Sequence, residues 1–181
     1  MLVSQKKKRE NIAEYVIYMW QLEDIVRAHD HDPGSVYQFI MRDAQIEPAL
    51  AADVLNWYTE VCSAVASLAK GRHLAEVHEV LQELSLLHGM LLTTIKDEDY
   101  LAVFEKARGS IEELKKRSGS DTVGDVEACF NGMYGVFLLD LQKKPLSDAT
   151  KEAIKPVREL LKVLSLRYVD MKKGDIGFSM N

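Results

Sequence analysis

Proline and glycine are scarce in this chain, four and ten among 181 residues. So few turn formers exclude a collagen-like, loop-rich or disordered protein. Cysteine is scarcer still: Cys62 and Cys129 stand far apart and match neither a zinc template nor a CxxC redox pair. They read as reduced, buried thiols, which suits a cytoplasmic protein. Long apolar runs are missing too. The longest, 84–95, contains His88 and two threonines and is too short to span a bilayer, so no membrane role is expected. Cationic excess is absent, since the net charge is -5, and phosphate neutralisation needs a concentrated basic surface; nucleic acid is not an expected partner. The one basic run near the start, Lys6-Lys7-Lys8-Arg9, imitates the charged end of a signal peptide. Glu10, Asn11, Glu14, Gln21, Glu23 and Asp24 then interrupt what would have to be its apolar core.

What is present is an ordinary globular balance, 47% apolar and 28% charged residues. The length suits one domain whose core needs neither disulfide nor metal. Apolar residues recur at helical spacing throughout, and no stretch alternates as a strand would. Helices are expected over 7–29, over 33–44 behind an Asp32 cap and Pro33, and over 48–70 with Gly71 as the stop. Further helices are expected over 72–95, from an Asp97 cap to 116, and over 123–142. Ser147 caps the last helix, which Pro156 either kinks or delays to about 155. The fold class is all-α: a single-domain antiparallel helical bundle of about six to seven helices over 1–173, with a tail over 174–181. The helices over 48–70 and 72–95 are expected to pair as a hairpin.

Most helices carry one apolar stripe. The first has two: Ile12, Tyr15, Val16, Met19, Leu22 and Val26 on one face, with Ile17, Tyr18 and Ile25 on the other. The helix over 123–142 adds a face of Ala128, Gly132, Gly135 and Leu139 to its main apolar face. A helix apolar nearly all round is central or covered by another subunit, and helix-weakening glycines suit a close neighbour.

The segment Arg9-Glu-Asn-Ile-Ala-Glu-Tyr-Val-Ile-Tyr-Met-Trp-Gln-Leu-Glu-Asp-Ile-Val-Arg27 resembles the opening of an uncharacterised, all-helical family of about 180 residues from Bacteroides and relatives. The resemblance implies a bacterial cytosolic protein of unknown role. It transfers no cofactor and no site residue.

Enzymatic motifs are missing. There is no HExxH, no Glu-x-x-His, no phosphate loop, no GxGxxG and no GxSxG. The run His29-Asp30-His31-Asp32 reads as a polar, capping turn, and no metal or cofactor is expected. Three polar residues fall on apolar faces: Glu23 in the first helix, His88 in the fourth and Asp140 near the end of the sixth. Burying an unpaired carboxylate costs several kcal/mol, so such groups pair, shift pKa or reach water. Arg27, four residues after Glu23, is its natural partner. An interior polar site of Glu23, Arg27, His88 and Asp140, lined by Tyr15 and Trp20, is the expectation if Glu23 and His88 meet. The leading functional expectation is a non-enzymatic bundle acting through protein contact, as a homodimer or with another protein. A small-molecule binder or enzyme built around Glu23 and His88 is the alternative.

Overall fold

A computed structural model describes residues 3–42, 48–69, 71–118 and 123–174. Among them the chain forms eight α-helices and no strand. They are α1 (Val3–Glu10), α2 (Ile12–Ala28), α3 (Pro33–Met41), α4 (Ala51–Ala66), α5 (Ala75–Thr93), α6 (Glu98–Ser118), α7 (Asp125–Leu141) and α8 (Asp148–Lys173). A single 3-10 turn, Pro48–Leu50, precedes α4. The all-α expectation holds, with one more helix than the upper expected number.

The additional helix comes from Asn11, which cuts the expected first helix in two. Its backbone is extended (φ -153, ψ 96) and its side chain accepts the Glu14 N–H at 3.2 Å. Its amide also donates to the Glu14 carboxylate at 3.0 Å, so Asn11 and Glu14 form a reciprocal cap. Asparagine competes with the backbone inside a helix and favours such positions. The run at 6–9 is drawn into ion pairs here: Lys7 meets Glu14 at 2.8 Å and Lys8 lies 3.9 Å from Glu76 on α5.

The other caps follow the residues expected to make them. Asp32 accepts from Ser35, Asp97 from Tyr100 and Ser147 from Thr150. Helix α8 starts at Asp148 and runs through Pro156. The N–H that proline lacks would have bonded the carbonyl of Glu152, an exposed residue. Gly174 ends α8 in the left-handed conformation (φ 82), which glycine adopts without strain. The remainder of the expected tail lies outside the described residues.

Helix α2 is the hub. It packs on α1, α3, α4, α5, α7 and α8, while α8 also lies along α5, α6 and α7. Ile12, Val16, Met19 and Val26 of α2 are completely buried, as are Val77, Tyr100, Ala107, Phe130 and Val157 from the helices around it. The expected hairpin of α4 with α5 is corrected: α4 lies against α2 and α3. Helix α4 stops at Ala66, and the connection to Ala75 is long enough to redirect the chain. The end of that connection is fastened to α2 through Glu23.

Candidate functional site

Glu23 is fully buried on α2, and its carboxylate holds the start of α5. It accepts the Leu74 N–H at 2.9 Å and bonds His73 Nδ1 at 2.7 Å. Arg27 stands 3.6 Å away, donates to the Arg72 carbonyl at 3.0 Å and bonds Asp24 at 3.2 Å. The Trp20 indole stacks on the His73 ring at 4.5 Å, and Tyr134 of α7 meets Trp20 edge-on while donating to Asp24 at 2.6 Å. The structure thus brings Glu23, Arg27 and Trp20 together, as the sequence suggested. The partner it adds is His73. This residue lies in a connection rather than a helical stripe, so periodicity carried no signal for it. Both carboxylate oxygens of Glu23 are engaged within the protein, and the cluster fastens residues 72–74 onto α2.

His88 belongs to a different cluster. Its Nδ1 is 2.7 Å from the Tyr100 hydroxyl, and its Nε2 is 3.6 Å from Asp125, which in turn accepts from Lys115 at 2.8 Å. Burial pushes the His88 imidazole below its ordinary pKa of 6.5, against the opposing pull of Asp125. Burial thus favours the neutral ring. Cys129 lies near Asp125, and burial pushes its thiol up to about 12, which makes it a poor nucleophile.

The meeting of Glu23 and His88 is thereby corrected. Glu23 is bonded to Leu74, at the head of α5, and His88 lies about 20 Å further along that helix at 1.5 Å per residue. Tyr15 lies two turns before Glu23 on the buried face of α2, and Asp140 stands apart from both clusters. Tyr15 is buried beneath Lys8, whose ammonium is 5.2 Å from its ring centre. Burial first, then the nearby Glu76 carboxylate, raises its pKa. Asp140 is exposed on the last turn of α7.

Asp140 leads to a groove beside the second half of α7. Every buried side chain of α7 lies in its first half: Val126, Ala128, Cys129 and Phe130. Beyond them Met133, Tyr134, Val136, Phe137, Leu138 and Leu139 are only half-buried, and Leu141 is 56% exposed. A groove of about 800 Å3 runs beside this half, between α7, the α1–α2 junction and α8. Ile17, Tyr18, Phe130, Met133, Val136, Phe137 and Leu161 line its apolar part; Lys7, Glu10, Glu14, Asp140, Arg158 and Lys162 are its charged residues. Two of the three residues read as the second face of the first helix, Ile17 and Tyr18, therefore lie in the same groove as the main apolar face of α7. The glycines of α7 divide. A Cβ on Gly132 would come 2.7 Å from the Leu114 side chain of α6, so its close neighbour lies within this chain. A Cβ on Gly135 would meet nothing within 4 Å. Arg158 and Lys162 escaped sequence reasoning, because charges on the outer face of a helix carry no periodic signal.

No curated protein and no solved structure matches the chain. The family model described as Domain of unknown function (DUF4924) matches residues 1–175, and the chain belongs to that family.

Proposed function

We propose that this protein is a non-catalytic contact protein whose binding surface is the second half of α7 together with the groove beside it. The observation that carries the reading is that the second half of α7 is covered only in part: Met133, Tyr134, Val136, Phe137, Leu138 and Leu139 stay half-buried and Leu141 is exposed, with the groove beside them. A helix apolar on more than one side calls for cover, and a grouped, exposed apolar face marks a contact site more often than scattered single residues do. The groove is also of the kind that receives a partner helix, with an apolar floor and charged edges.

The polar residues support the same reading. Glu23 and His88 are separately bonded and about 20 Å of α5 apart, so they do not jointly enclose a reacting group. A second reading, a small apolar ligand in the groove, is favoured by its volume, which falls in the range of ligand sites. The resemblance of the α2 segment and the unpaired thiols extend the proposal to a bacterial, cytoplasmic protein.

The test is a pair of substitutions on α7. In dilute protein, Phe137→Asp is expected to lower the melting temperature far less than Phe130→Asp, because Phe137 is half-buried and Phe130 wholly buried; Phe130→Asp is expected to unfold the protein. A collapse of the Phe137→Asp variant would place that residue in the core and overturn the contact reading.

A further inference from the structure

The geometry points to a second copy of this chain as the occupant of the α7 face, related to the first by a two-fold axis. The inference rests on the contact reading above and adds the partner. Its basis is charge. Arg158 and Lys162, one turn apart on α8, and Asp140, on the last turn of α7, all line the groove and are all exposed. None of the three side chains makes an ion pair or hydrogen bond among the described residues. Several other charges are matched across helices, Lys7 with Glu14, Lys115 with Asp125, Arg167 with Asp97 and Lys172 with Glu83, while exposed ones such as Lys96 and Lys143 are not. The groove thus displays two unmatched cations and one unmatched anion around an apolar floor.

A cover complementary to this face brings an anion to Arg158 and Lys162 and a cation to Asp140. A two-fold contact does both at once, because residue i of one copy meets residue j of the other and the reverse holds by symmetry. Two α7 helices laid against each other's groove set Asp140 of each copy toward the cations of the other. Met133, Val136 and Phe137 of the two copies then bury one another. Gly135, with open space where a Cβ would stand, leaves a stretch of bare backbone for close approach. A single-headed anionic amphiphile would match the cations and leave Asp140 unmatched, so the charge pattern favours the copy over the ligand.

The experiment is native mass spectrometry of the full chain with sedimentation velocity at tens of micromolar. The parent is expected to be a dimer without added mass. Asp140→Lys alone, and Arg158→Glu with Lys162→Glu, are each expected to weaken the dimer by about tenfold or more, with unchanged circular dichroism. Mixing these two variants is expected to restore association as a heterodimer. The lysine introduced in one chain then faces the glutamates introduced in the other, and the native Asp140 of the second chain faces the native cations of the first. A parent that stays monomeric, bare or carrying a bound molecule, overturns the second-copy inference. So does a dimer indifferent to the charge changes. In either case the contact reading stands or falls separately, on the stability of Phe137→Asp.

Discussion

The two halves of α7 share one helix, one register and nearly the same apolar content, yet the bundle treats them differently. Residues 125–130 enter the core between α2, α5, α6 and α8, where Cys129 and Phe130 are wholly excluded from solvent. Residues 131–141 continue the helix under partial cover: Met133, Tyr134 and Val136 still pack against the core, Tyr134 on Trp20, yet no side chain there is fully buried. The difference lies in what stands opposite, and local helix chemistry does not produce it. Apolar content alone therefore does not define a core. A stripe becomes core when other helices cover it, and it becomes contact surface when they do not.

The largest effect that would sharpen this contrast is a pair of truncations. Phe130→Ala is expected to cost about 3–5 kcal/mol, and Phe137→Ala, half-buried and stacked on Tyr134, about 1–2 kcal/mol, in urea unfolding of the dilute protein. Equal costs would erase the distinction between the halves. Next comes the fastening of the connection before α5. Glu23→Ala leaves the buried Leu74 N–H without its acceptor, and is expected to cost about 1–3 kcal/mol. Hydrogen exchange at 72–74 is expected to accelerate in that variant; unchanged protection there would show that the connection is held by other means.

A smaller effect depends on pH. The folded state holds the His88 pKa below its ordinary 6.5, so the unfolded chain binds more protons as the pH drops through that range. The contribution of neutral His88 is present above pH 6.5 and is lost as the pH falls toward the folded pKa. Chemical denaturation midpoints are expected to decline below pH 6.5, and His88→Gln is expected to flatten the decline. An unaltered slope in the variant would assign the acid sensitivity to other groups. The smallest effect separates the two glycines. Gly135→Ala is expected to stabilise the dilute monomer by about 0.5–1 kcal/mol through helix propensity, with no steric cost. Gly132→Ala should gain less, because the Leu114 side chain must turn aside. The same Gly135→Ala change should weaken association if that strip of backbone is approached closely.

Much of the fold was legible because amphipathic spacing and capping chemistry are local. The caps at Asp32, Asp97 and Ser147 were readable from residue type and place, and the buried stripe of α2 follows its spacing residue by residue. The Asn11 break was also legible in principle, since Asn followed three residues later by Glu is a helix-start pattern. It was masked by the apolar periodicity that continues on its far side. The packing of α4 was not legible. Whether two successive helices form a hairpin depends on where their connection is tethered, and the tether here is a carboxylate 50 residues from His73 in the chain.

The candidate site divides in the same way. Glu23 with Arg27 is an i,i+4 pair and could be read directly; His73, Tyr100 and Asp125 come from distant segments and carried no signal of their own. The second apolar face of the first helix was visible in the sequence. That Ile17 and Tyr18 would share a groove with Met133 and Phe137, beside unmatched Arg158 and Lys162, required the arrangement of α2, α7 and α8 in space.

The most direct measurement is hydrogen exchange along α7 of the parent protein at low and high concentration. Amides of 131–141 are expected to gain protection as concentration rises, while those of 125–130 remain equally protected throughout. Protection independent of concentration in both halves would contradict the account, because the second half of α7 would then have no need of a second copy to cover it.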